Sequence, residues 1–279
     1  MTSCLSSGLI GGGIVLVTGA LRQALFIGRY PPPPPPSRWL SDLRARIGKC
    51  IIFGCSPAQV ADAGKVLGAL AAEWRALVAG SEGFLTGGRR GLEGQQVVWG
   101  EQDSFQHVNN VTYIRYAESS RVNWATNFAV RVDPAHRRQW AGLMTPDGIG
   151  LIMKSIKADF KFPLTYPDRI SVYHKLRHPP LSSSSSLVLD AVVLSHKHRR
   201  VAARIEEDVV IYDYEAAGKT AMPTFMRDVL EETFASQEAE RARVTRRIWE
   251  LIGAVERLEK ATWDRPDAKE DLGAAGGAK

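Results

Sequence analysis

The chain has little cysteine, no long apolar run and, over its first 41 residues, no acidic side chain. Each shortage closes a class of reading. The three cysteines, Cys4, Cys50 and Cys55, lie near the N-terminus with neither zinc-ligand nor CxxC spacing. A disulfide framework is therefore set aside, and free thiols in a reducing compartment are expected. Residues 9–21 are apolar, but they are Gly-rich, end at Arg22 and fall short of the roughly 18 residues a membrane helix needs. No HExxH or similar ligand pair occurs, so no metal is expected. The Gly-x-Ser-x-Gly nucleophile motif is missing, GGGIVLVTGA lacks the spacing of a dinucleotide loop, and aromatic and basic residues do not interleave as in nucleic-acid-binding modules.

What is present points to a globular chain with a leader. Of its 279 residues, 44% are hydrophobic, enough for a sizeable core. A net charge of +6 and a pI near 9.3 favour anionic partners, including phosphate-bearing small molecules. The acid-free start carries Arg22, Arg29 and Arg38 among serines, the composition of a mitochondrial transit segment, with a membrane anchor as the alternative. Residues 31–36 are an unbroken proline run, which reads as a stiff spacer. Ser56, Pro57 and Gln59 form a capping box with Pro at the first helical position. The helix they start keeps Val60, Ala63, Val66, Leu67, Leu70, Trp74 and Leu77 at helical spacing. Residues 80–94 read as a flexible connection and residues 182–186 as a mobile serine loop.

Strands follow at 148–162, 170–177, 187–194 and 201–214, rich in β-branched residues and joined by short turns. Residues 224–263 read as one or two charged helices with a seam of Val244, Ile248, Leu251, Val255 and Leu258. The resulting division is 1–41 leader and linker, 42–93 helical extension, 94–223 main domain, 224–263 C-terminal helices and 264–279 disordered tail.

Between extension and strands lies VVWGEQDSFQHVNNVTYIRYAESSR, residues 97–121. It reads as a strand, a polar connection carrying Asp103, and an amphipathic helix. Projected at about 100° per residue, Tyr113, Ile114, Tyr116, Ala117, Ser120, Trp124 and Phe128 share a stripe, with Thr112 and Asn123 away from it. Such a stripe wants a sheet around it, which makes the fold α+β. The first-turn N–H groups, near 109–111, would hold an oxyanion, and Asp103 beside them could activate a water or attack a carbonyl. A turn or capping role for Asp103 is the alternative. His107 could orient that carboxylate or fix the loop. Glu118 and Arg121 are spaced for an ion pair along the helix. The basic turn 196–200, with Arg199 and Arg200, could meet phosphates.

These residues carry a resemblance. Trp99, Gly100, Asp103, His107, Val108, Asn109, Asn110, Tyr113, Tyr116, Glu118 and Arg121 resemble the signature of the 4-hydroxybenzoyl-CoA thioesterase group of the hotdog-fold superfamily. The resemblance covers about residues 94–223 and implies an antiparallel sheet wrapped around a central helix. It implies Asp103 as the catalytic carboxylate, Asn110 as the amide that polarises the thioester carbonyl, and acyl-CoA as substrate, with coenzyme A present only as part of that substrate. Asn109 and Tyr113 stand with them as substrate contacts. It further implies a homodimer or tetramer with sites where two sheets join. Two positions depart from the pattern: Glu101 replaces its first Asp, and Gln106 replaces the Gly before His. An acyl-CoA thioesterase is the expectation, and a non-catalytic hotdog component of a mitochondrial assembly is the alternative.

Overall fold

The computed structural model describes residues 32–88, 90–181 and 183–270. The segment read as a targeting leader, 1–31, lies outside them, as do Cys4, Arg89, Ser182 and the end of the tail, 271–279.

In chain order the elements are α1 (Trp39–Ile52), α2 (Pro57–Gly80), β1 (Gly91–Gln96), α3 (Asn110–Asn127), α4 (Arg137–Gly142), β2 (Ile149–Phe160), β3 (Arg169–Leu176), β4 (Ser186–Ser195), β5 (Arg200–Asp213), β6 (Gly218–Lys219) and α5 (Thr224–Thr262). The strands form one antiparallel sheet in the order β1-β3-β4-β5-β2, with β6 a short return on β5. The central strands β3, β4 and β5 are the most apolar, as strands covered on both faces must be. Helix α3 lies across the sheet. Tyr113, Tyr116 and Ala117 pack with Val97, Ile170, Val172, Val193 and Ile205, while Trp124 and Phe128 join Trp140, Leu189, Ile211 and Leu230. This is the α+β hotdog arrangement, with helices added at both ends.

Several boundaries differ from the sequence reading. The first strand ends at Gln96 and begins at Gly91, inside the stretch read as flexible. GLEGQQ has no strand propensity of its own; pairing with β3 makes it a strand. Gly91 is required there, because a Cβ would meet the Val172 carbonyl oxygen at 2.1 Å. Helix α1 starts at Trp39, within the expected linker, held by Trp39, Leu43, Ile47 and Cys50 in the core. The serine loop is anchored, since Ser184 accepts from the Met222 N–H, Ser185 accepts from Ile211, and Ser186 already belongs to β4. Thr112 is buried, although the projection placed it outward.

The capping box at Ser56 is formed, with the Ser56 N–H donating to Gln59 Oε1 at 2.7 Å and the Gln59 N–H to Ser56 Oγ at 3.4 Å. A cap of this kind contributes about 1 kcal/mol. The C-terminal part is one 39-residue helix. Its first half packs Met226 and Leu230 under the sheet. Its second half lays Val244, Ile248, Leu251, Val255 and Leu258 between α1 and α2, so the seam closes on its own chain. Arg46 clamps Glu259 across that bundle at 2.5 Å.

Candidate active site

The connection from β1 to α3 is built by short-range bonds. The Val97 N–H donates to the Asp168 carbonyl, and Trp99–Glu101 makes one 3-10 turn. Glu101 then ties three pieces together. Its Oε2 accepts from the Val98 N–H at 2.9 Å and from the Tyr116 hydroxyl at 2.5 Å, and its carbonyl accepts from the Asn109 N–H at 2.8 Å. Burial and the Glu101 carboxylate push the Tyr116 phenol well above its ordinary value, so it remains a donor. The pattern position that holds Glu in place of Asp is thus the anchor of the loop.

Asp103 follows in a tight turn. Its N–H donates to the His107 carbonyl, its carbonyl accepts from Gln106, and its Oδ1 accepts from the Phe105 N–H at 2.9 Å. Its Oδ2 accepts nothing from the described residues, and the side chain is half-buried. Gln106 closes the turn with φ +61°, the left-handed region in which a side chain is disfavoured. The structure therefore explains why a Gly suits this position. The His107 ring is exposed and makes no hydrogen bond among the described residues; its backbone carbonyl shapes the turn.

Asn109 is the N-cap of α3, accepting from the Val111 N–H at 2.9 Å. That leaves the Asn110 N–H, at the first helical residue, with no acceptor among the described groups. It lies where the partial positive charge of the helix start is concentrated. The Asp103 carboxylate and the Asn110 N–H thus stand at the two ends of the 103–110 connection, a carboxylate and an open amide of the types that acyl-transfer chemistry uses.

Tyr113 does something else. It is buried, its hydroxyl accepts from the Leu164 N–H at 2.8 Å and donates to the Phe162 carbonyl at 3.3 Å. It holds the 162–164 segment against the helix, and that segment supplies both a donor and an acceptor for its hydroxyl. In the basic turn, Arg199 has φ +50°, and the Arg200 guanidinium lies 4.4 Å over the Phe162 ring, which also meets His198 at 4.6 Å. The turn is thereby brought to the same segment that Tyr113 holds.

The expected pair of Glu118 and Arg121 is not formed. Arg121 reaches Glu207 on β5 at 2.6 Å, and Glu118 is exposed. Behind this pair, His174 Nε2 lies 3.2 Å from Glu207 Oε2, off the hydrogen-bond direction, and His174 Nδ1 is 2.9 Å from Ser120 Oγ. Serine, histidine and carboxylate in a row suggest a nucleophile. However, the Ser120 hydroxyl donates to the Val172 carbonyl at 2.8 Å and all three side chains are buried, so no substrate reaches them. Burial would raise the Glu207 carboxyl, but contact with His174 and the Arg121 charge hold it below its ordinary value. This cluster joins helix to sheet. Neither it nor the Glu101–Tyr116 anchor was found from the sequence, because their members are distant in the chain; acids and a His within otherwise apolar strands were the only signal.

Among the described residues, no group of His, Cys, Asp and Glu is placed to hold a metal ion, and no helix is long and apolar enough to cross a membrane.

Residues 97–230 match the family model described as the thioesterase-like superfamily. That interval contains the Asp103 turn, α3, strands β2–β6 and the first turns of α5. Similar solved structures include the YbaW protein of Escherichia coli, 24% identical, covering 50% of this chain and 95% of that one, with a TM-score of 0.40. Another is Slr0204, a 1,4-dihydroxy-2-naphthoyl-CoA thioesterase from Synechocystis, 14% identical, covering 49% and 91%, with a TM-score of 0.40. A thioesterase from Thermus thermophilus complexed with coenzyme A and Zn is 19% identical, covering 48% and 91%, with a TM-score of 0.38. No curated protein sequence matches the chain.

Proposed function

We propose that the thioesterase-like segment hydrolyses acyl-CoA thioesters to a free acid and coenzyme A. The observation that carries this reading is the Asp103 carboxylate, held in a tight turn at the start of α3 with Oδ2 accepting no hydrogen bond from the described residues. Asp103 takes a proton from a water as its oxygen attacks the thioester carbonyl. The Asn110 N–H receives the developing oxyanion. Collapse expels the thiolate, which takes up the proton that Asp103 accepted, so coenzyme A leaves and the carboxylate is restored. Because a thiol is far more acidic than an alcohol or amine, its departure needs no strong general acid, and the exposed His107 ring is not required for it. Arg199 and Arg200 lie at the same end of the sheet and add positive charge for the phosphates.

Strand β2 pairs only with β5 among the described residues, leaving its outer edge open. Together with the resemblance, this supports a homodimer or tetramer joined along that edge. The acid-free leader supports mitochondrial import.

Replacing Asp103 by Asn should lower kcat by about 10²–10⁴-fold, the range for a lost general base, with the melting temperature little changed. Hydrolysis at the wild-type rate would remove Asp103 from the reaction. A second reading, a non-catalytic assembly component, is favoured by one observation. Ile51, Ile52, Val60 and Leu67 are exposed on α1 and α2, outside the matched segment. A wild-type chain that cleaves no member of a short, long and aromatic acyl-CoA panel, yet co-purifies with a large complex, would select it.

A further inference from the structure

A cleft of about 730 Å³ opens beside the Asp103 loop, lined on one side by Val97, Val98 and Trp99 and on the other by Tyr166, Arg169 and Lys197. Its walls are unusual for a surface. Trp99 is 73% exposed and Tyr166 49% exposed, although large aromatic rings generally bury most of their area. Neither ring is left there by disorder of its backbone. The Trp99 carbonyl accepts from the Gln102 N–H, and the Tyr166 N–H donates to Gln102 Oε1 at 2.8 Å, so one residue of the Asp103 loop fixes both walls.

The rim is cationic, and its main chain is pinned. The buried Asp168 carboxylate accepts from the Arg169 N–H at 2.6 Å, the Lys197 N–H at 2.9 Å and the Ser195 hydroxyl at 2.6 Å. Its negative charge is thus occupied by three donors from the walls. The side chains of Arg169 and Lys197 remain exposed, and neither has an ion-pair partner among the described residues. His196, also in the lining, is engaged with Ser171 Oγ at 2.9 Å and packs its ring against Trp74.

Two exposed rings beside two unpaired cations fit a planar base followed by phosphate. Every base offers a flat π-face to an aromatic side chain, and phosphate adds charge-assisted hydrogen bonds. We infer that this cleft takes the adenosine phosphate end of coenzyme A, with Trp99 and Tyr166 holding the adenine and Arg169 and Lys197 the phosphates. The inference rests on the thioesterase reading and extends it. It also places the nucleotide at a workable distance. Trp99 and Asp103 are four residues apart, hence within about 14 Å even for a fully extended chain, and an extended pantetheine arm covers that span.

The test compares two substrates on the full chain, an acyl-CoA and the matching acyl-pantetheine, which has the same thioester without the nucleotide. The wild type should prefer the acyl-CoA in kcat/KM. Trp99→Ala should reduce that preference at least tenfold, mainly through the KM for acyl-CoA, with Trp99→Phe restoring part of it. Lys197→Glu should reduce it as well and lower the preference for coenzyme A over its 3′-dephospho form in calorimetry. If wild type and variants cleave both substrates with an unchanged ratio, the cleft is not the nucleotide subsite, although the thioesterase reading survives. If the wild type cleaves neither substrate and coenzyme A does not bind, both fall. Binding of adenosine 3′,5′-bisphosphate that Trp99→Ala abolishes, without any change in the substrate ratio, would assign the cleft to a free nucleotide and overturn the coenzyme reading.

Discussion

Gln106 shows how much a single backbone angle can hold. At φ +61° it bends the chain back so that the Asp103 carbonyl meets its N–H, and the carboxylate is presented from that bend. A left-handed conformation costs a residue with a side chain about 1–2 kcal/mol, of which Gly avoids most while giving up part in unfolded-state entropy. Gln106→Gly should therefore stabilise the protein by about 0.5–1 kcal/mol, seen as a higher denaturation midpoint, with the fold unchanged. A lower midpoint would mean that the glutamine side chain supplies more than the strain removes. The unusual position was legible from the sequence, since Gly was the expected residue. The turn at Asp103 was legible for the same reason, because loop chemistry is local. Tyr113 was not: the motif places the residue but does not say which way its ring points, and here it points into the core and holds the 162–164 segment.

At the level of elements, α3 is joined to the sheet by charge as well as by packing. Arg121, Glu207 and His174 meet where helix crosses β5 and β3, and removing one partner leaves the others buried without compensation. Glu207→Gln should cost about 3–5 kcal/mol, the range for breaking a buried ion pair. The pH dependence has a definite sign. The Glu207 carboxyl lies below its ordinary 4.5 in the folded chain, so its contribution is complete above about pH 4.5 and is lost as pH falls through the lower folded value. Acid unfolding followed by circular dichroism should show the wild type losing more stability than Glu207→Gln across that window; parallel curves would exclude the cluster as its cause. Strands β2–β5 could be read from their β-branched residues, and α3 from its stripe. The cluster could not, since Arg121 and Glu207 are 86 residues apart and the spacing of Glu118 with Arg121 offered a nearer partner that the helix leaves in solvent. Strand β1 was hidden for the opposite reason, being made by its neighbour rather than by its composition.

For the whole molecule, the open edge of β2 is the feature with the widest reach. Its 12 residues include half-buried Leu151, Ile152 and Met153, and an exposed strand edge of that length is a surface proteins generally cover. The full chain should run in solution at twice or four times its 30.7 kDa mass, measured by sedimentation; a monomer at micromolar concentration would rule out assembly along this edge. The helical additions bear on how the molecule comes to be made. Helices α1 and α2 are the first described elements to be synthesised, yet the residues that cover their apolar stripes, Val244 to Leu258 in α5, are among the last. Contacts so distant in sequence form late and slowly. During synthesis these two helices must therefore wait, with Leu43, Ile47, Leu70 and Leu77 uncovered, until the hotdog sheet has been made, and in that interval they are the surface most open to a chaperone or to misassembly.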